Sequence, residues 1–131
     1  MIPWSFKGVI YGHLQSKSNG RKLVRFGKRL ASIKSDSARQ WWRDTLIQGM
    51  AWKQPWMPFK GTICLTARVF YPDRRNDLDI SLLMDVLQVG TPKNPGIGVI
   101  QNDRQVIKQI LVRAIDKERP RVEFWLDEFT A

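Results

Sequence analysis

The order of apolar patterns in the 131 residues predicts one α+β or mixed α/β domain. Three observations carry that prediction: a cleanly alternating run at 61–70, two stretches of helical recurrence at 35–49 and 80–89, and two more strand-like runs near the end. The composition, 43% hydrophobic and 26% charged, fits a packed core and excludes a disordered chain.

Residues 4–14 (Trp4, Phe6, Val9, Tyr11, Leu14) read as an opening strand. Ser16 to Asn19 with Gly20 form a turn cluster, and Arg21 to Leu30 a basic, extended segment. From Ser35 the period becomes helical. Ser35 or Asp36 supplies the N-cap, and Ala38, Trp41, Trp42, Thr45, Leu46 and Gly49 follow at helical spacing. Pro55 and Pro58 mark a loop. Ile63, Leu65, Ala67 and Val69 then alternate with Thr62, Cys64, Thr66 and Arg68, the pattern of a half-buried strand. Ile80, Leu83, Met84 and Leu87 make a helical stripe, Gly90 to Gly98 an exposed loop. Val106 to Ile115 and Val122 to Leu126 are strands joined by Lys117-Glu118-Arg119-Pro120. No repeat or linker interrupts the series.

Several chemistries are excluded at once. One cysteine, Cys64, and one histidine, His13, cannot build a zinc finger or an HNH-type nuclease, and a lone cysteine cannot close a disulfide within the chain. Cys64 is read as a passive thiol in a strand, because His13 is remote in sequence. Gly20 to Gly27-Lys28-Arg29 imitates a phosphate loop, but its spacing is wrong and no Ser or Thr follows the lysine. The six tryptophans are read mainly as core or interface residues, a minority within reach of a base. The first residues lack the apolar run of a signal peptide, and no stretch could span a bilayer; a soluble, cytoplasmic protein without a membrane partner is expected.

Charge points to a partner. The formal net charge is +10, and residues 1–60 carry all of that excess, while 61–131 hold basic and acidic side chains in equal number. Such one-sided charge is the footprint of a polyanion binder, since neutralised phosphates release condensed counterions. Arg21, Lys22, Arg25, Lys28, Arg29, Lys34 and Arg39 are the candidate phosphate contacts, with Arg74, Arg75, Arg104 and Lys108 from the second half.

The acid in that second half is clustered. Tyr71-Pro72-Asp73-Arg74-Arg75-Asn76-Asp77-Leu78-Asp79 precedes the helix, and an extended Asp77 to Asp79 step puts both carboxylates on one side with Leu78 turned inward. Neighbouring carboxylates repel, and a hard divalent cation, Mg²⁺ or Mn²⁺, is the ordinary remedy. Asp103, in Gln101-Asn102-Asp103-Arg104-Gln105-Val106, precedes a strand and is expected to converge on the same ion. An EF-hand is excluded, because Leu82 stands where its glycine belongs and Gln88 where its bidentate glutamate belongs. Simpler roles compete: Asp79 as a helix cap, Asp77 paired to Arg74 or Arg75, and Asn102-Asp103 as a turn.

At these residues the chain resembles the RusA-type Holliday junction resolvases. The likeness lies in Tyr71-Pro72-Asp73-Arg74-Arg75, Asp77-Leu78-Asp79, the helix with Asp85 and Leu87, and Asp103-Arg104-Gln105-Val106. Earlier, Ser18-Asn19 resembles the family's Ser/Asn-rich opening and Trp42-Arg43-Asp44 its aromatic-Arg-Asp step. The resemblance implies a small mixed sheet with two main helices packed against it, and a homodimer that places paired, Mg²⁺-dependent nicks in four-way DNA junctions during recombination and repair. It makes Asp77, Asp79 and Asp103 the metal-binding catalytic carboxylates. Two positions depart from the family: Leu83 replaces a catalytic lysine and Ile80 an asparagine. Lys93, Lys108, Arg74 or Arg75 could supply the missing cation, or the chain could bind branched DNA while cutting it slowly or not at all.

Overall fold

The computed structural model describes residues 3–16, 21–26 and 29–130, with the strands between 21 and 34 as backbone. Eight main elements follow in order: β1 (Ser5–Tyr11), β2 (Arg21–Phe26), β3 (Arg29–Lys34), α1 (Asp36–Gly49), β4 (Ile63–Tyr71), α2 (Ser81–Leu87), β5 (Val106–Ile115) and β6 (Arg121–Glu128). Four strands form one mixed sheet in the order β1-β6-β4-β5. β6 is antiparallel to both β1 and β4, whereas β4 and β5 are parallel, joined by the crossover that contains α2. The expected class, a small mixed sheet with two helices, is the one observed.

The alternation in β4 does what the sequence requires. Ile63, Leu65, Ala67, Val69 and Tyr71 are buried, as are Val122, Phe124 and Leu126 of β6, and all eight join one core with Trp41 and Trp42 of α1. Ser35 caps α1 by accepting the Ala38 N–H at 3.2 Å. β1 is shorter than the sequence suggests. Gly12 takes φ +123° and donates its N–H to the Pro120 carbonyl at 2.9 Å, which turns the chain out of the strand.

The basic segment is a β-hairpin rather than a single extended run. β2 and β3 pair antiparallel, from Arg21 opposite Lys34 to Phe26 opposite Arg29. The turn cluster at 17–20, including Ser18-Asn19, and the hairpin connection with Lys28 lie outside the described residues.

α2 begins at Ser81, one residue later than its apolar stripe, and is buried almost all round: Leu82, Leu83, Met84, Val86 and Leu87 face the interior. Its last carbonyls are satisfied by the returning loop, where Ile97 N–H donates to Val86 at 2.7 Å and Ile100 N–H to Leu87 at 3.2 Å. That loop must pass so close that a Cβ on Gly96 would lie 1.8 Å from the Gln88 carbonyl oxygen. Leu83 is 0% exposed, so the family's lysine has no solvent-facing place in this helix. Leu83→Lys is therefore expected to cost at least about 3 kcal/mol rather than restore a catalytic cation. The midpoint of urea unfolding measures it, and an unchanged midpoint would contradict this packing.

Among the described residues no helix is long and apolar enough to cross a membrane. Trp4, Trp52 and Trp56 are spent on an aromatic cluster with Phe6, Phe59 and Phe124, including a Trp4–Phe59 stack at 3.9 Å. Trp125 lies beneath the Arg68 guanidinium.

Candidate active site

Pro72 ends β4, since it cannot donate to a ladder, and the chain turns sharply. Asp73 organises that turn: its Oδ1 accepts the Arg75 N–H at 2.9 Å and Asn76 Nδ2 at 3.3 Å. Arg74 and Arg75 are left exposed at the tip, in the same loop as Asp77.

Tyr71 then fixes the acidic step. Its ring is 2% exposed, but its hydroxyl reaches the loop, donating to the Asp77 carbonyl at 2.9 Å and accepting the Asp79 N–H at 3.3 Å. One phenol thus holds the backbone on both sides of Leu78, which packs against the core as expected. Burial is the largest influence on the phenol and pushes its pKa above the ordinary value; the Asp79 N–H opposes this, the Asp79 and Asp77 charges add to it, and Arg113 opposes it. Tyr71 therefore stays protonated through neutral pH and keeps its donor on Asp77.

Both carboxylates stand in this loop. Asp77 is exposed. Asp79 is half-buried, and its Oδ1 accepts the Ser81 N–H at 2.9 Å and the Ser81 hydroxyl at 2.6 Å. The N-cap of α2 is Ile80, with no side-chain cap, so the capping role weighed for Asp79 is not the one observed: its carboxylate holds Ser81, the first residue of the helix.

Asp103 does not join them within one chain. It lies exposed in a short 3-10 turn, Asp103–Gln105, whose first amides are satisfied by neighbours: Asn102 Oδ1 accepts the Arg104 N–H at 3.0 Å. Buried Gln105 locks the turn to the 59–61 loop, donating to Phe59 and Gly61 carbonyls at 2.7 and 2.9 Å. The reason for the separation is topological. In the parallel pair Ile63 faces Val106 and Tyr71 faces Ile115, so Asp103 enters β5 at one end while Asp77 and Asp79 leave β4 at the other. The length of β4, roughly 26 Å at about 3.3 Å per residue, lies between the two ends. Among the described residues no three His, Cys, Asp or Glu side chains come together in a metal-ligating group. The expected convergence of Asp77, Asp79 and Asp103 is corrected accordingly: within one chain Asp103 stands apart from the loop that carries Asp77 and Asp79.

The candidate cations divide the same way. Arg74 and Arg75 share the acidic loop, while Arg104 and Lys108 belong to the Asp103 end, with Lys108 Nζ lying 5.6 Å from the Phe129 ring centroid. Lys93 is exposed in the loop after α2, beyond the helix end opposite to Asp79. Arg39 pairs with Asp36 in the first turn of α1. Arg21, Lys22, Arg25, Arg29 and Lys34 lie on the two-stranded sheet.

Two residues that the sequence did not single out belong to the acidic loop. Arg113 of β5 donates to the Asn76 carbonyl at 3.0 Å. His13 places Nε2 3.1 Å from Asn76 Oδ1, with its ring edge-on to Tyr71. Cys64 is buried at the far end of β4 from that histidine. Comparison with protein-family models and with curated proteins gives no match.

Proposed function

We propose that this chain is a divalent-metal-dependent endonuclease for branched DNA, four-way junctions foremost, that works as a two-fold homodimer. The observation that carries it is the Asp77-Leu78-Asp79 step, pinned on both sides by one buried phenol and presented at the Ile115 end of β5, which pairs with β4 alone among the described residues.

That edge supplies the missing acid. β5 is ten residues long, is paired only with β4 among the described residues, and leaves Ile107, Ile110, Val112 and Ile115 between 45 and 47% exposed. A long edge strand is a template for another strand unless something covers it, and here the exposed apolar residues outnumber the two exposed charges, Lys108 and Arg113. Antiparallel pairing with β5 of a second copy, about a two-fold axis, sets the partner's Val106 beside Ile115. The partner's Asp103 then stands at the end where Asp77 and Asp79 stand, and each half of the dimer holds a three-carboxylate set. Those hard oxygen donors suit Mg²⁺ or Mn²⁺. A cation bound there would acidify water and neutralise charge growing on phosphorus. Arg74 and Arg75, in the same loop, would hold the scissile phosphate, while the β2–β3 hairpin grips the backbone without reading bases. Two equivalent sites match the two equivalent strands of a junction.

A second reading, a branched-nucleic-acid binder with weak or no catalysis, is favoured by Leu83 in the core and by the Asp79 carboxylate being engaged at Ser81. Incubation of the protein with a synthetic four-way junction in Mg²⁺ or Mn²⁺ separates the two. Paired nicks that spare linear duplex support the nuclease. DNA left intact in both metals, with tight salt-sensitive binding, supports the binder and rejects the nuclease.

A further inference from the structure

The acidic step is held from behind by Tyr71, but its entrance is held from the side by a residue of the amino-terminal segment. Asn76, immediately before Asp77, has all of its side-chain polar atoms and its carbonyl engaged. Nδ2 donates to Asp73 Oδ1 at 3.3 Å, the carbonyl accepts from Arg113 at 3.0 Å, and Oδ1 faces His13 Nε2 at 3.1 Å. Because the amide nitrogen is committed to Asp73, Oδ1 can only accept, which puts the imidazole hydrogen on Nε2. The His13 ring also stands edge-on to Tyr71, with centroids 6.1 Å apart, so it touches both supports of the loop. Behind it, the His13 carbonyl accepts from Gln15 Nε2 at 3.1 Å, and Gln15 Oε1 accepts the Ser37 hydroxyl in the first turn of α1 at 3.4 Å. The contact spans 63 residues of sequence and joins the segment leading to the basic hairpin with the loop that carries the carboxylates.

We infer that His13 is a positioning residue: by donating Nε2–H to Asn76 it sets where Asp77 and Asp79 present their carboxylates. This rests on the nuclease proposed above. Loss of a hydrogen bond made directly to a ligand commonly lowers metal affinity about 10- to 100-fold, and His13 acts one residue further out, through Asn76, so its effect falls at or below the lower end of that range. A merely structural His13 would contribute ring packing on Tyr71 and nothing more.

His13→Phe and His13→Gln distinguish the two roles. Phenylalanine keeps the edge-on ring and loses the donor; glutamine loses the ring and keeps a donor at similar reach. The readouts are the Mn²⁺ concentration for half-maximal junction cleavage, Mn²⁺ binding by electron paramagnetic resonance, and amide exchange across 77–81. His13→Phe is expected to raise the Mn²⁺ requirement by up to about tenfold and to speed exchange in that segment, with junction affinity unchanged. His13→Gln is expected to recover most of both. An unchanged Mn²⁺ requirement in His13→Phe, or a defect that His13→Gln shares in full, overturns the assignment. A wild-type protein that neither binds Mn²⁺ nor cuts removes the nuclease itself and the assignment with it. That failure is visible in the parent before any variant is compared.

Discussion

Asp79→Asn is expected to lower junction cutting by at least about a hundred-fold while junction binding holds or tightens, because even partners one shell out from a metal are commonly worth 10- to 100-fold. The substitution isolates charge from shape. Asparagine keeps an Oδ1 that accepts from the Ser81 N–H and hydroxyl, the two bonds now made at 2.9 and 2.6 Å, so the first residue of α2 keeps its partner. Its backbone N–H still donates to the Tyr71 hydroxyl. What disappears is one negative charge beside Asp77, in a loop that also carries exposed Arg74 and Arg75. A polyanion approaching that loop meets less repulsion, while a divalent cation finds a weaker donor set. Cleavage rate, junction affinity and melting temperature measured on one preparation give the answer. If the melting temperature and the binding fall together with cutting, the carboxylate serves only to hold Ser81 at the start of α2.

The parts of the molecule legible in the sequence are those governed by local rules. The period of two in 61–70 and 122–126 could be satisfied only by strands with one buried face, and the buried sets are the alternating ones apart from Cys64, which is buried on the other face of β4. Ser35 or Asp36 followed by helical recurrence gave the N-terminus of α1 to within one residue, and Ser35 is the cap. The basic segment was harder. Leu23 and Val24 adjoin, so Arg21 to Phe26 lacks the alternation that marks a strand, and the hairpin shows only in the pairing of Phe26 with Arg29.

The place of Asp103 follows from a rule that applies to the order of elements in the sequence. A strand, a helix and a second strand joined by residues 72–105 make a parallel crossover unit, in which residues after the first strand and before the second lie at opposite ends. Asp79 and Asp103 hold those two places. Leu83 was recognised as a departure from a family lysine, but only the burial of α2 on nearly every side gives its physical reason. His13 carried no local signal at all: nothing in its neighbours anticipates a hydrogen bond to Asn76.

Mixing two inactive variants tests directly whether the site is shared between copies. In an antiparallel β5 dimer, Asp79→Asn spoils the site of its own loop, and Asp103→Asn spoils the site across the axis. A heterodimer of the two carries both lesions in one site and leaves the other whole. Each variant alone is expected to be inactive. Unfolded together and refolded, they are expected to recover about one quarter of the wild-type sites, since random pairing makes about half of the dimers mixed and each mixed dimer has one intact site. Those dimers should deliver single nicks rather than paired ones. Cleavage that stays at background, with native mass spectrometry showing that mixed dimers have formed, would contradict a site built from the Asp77–Asp79 loop of one chain and Asp103 of the other.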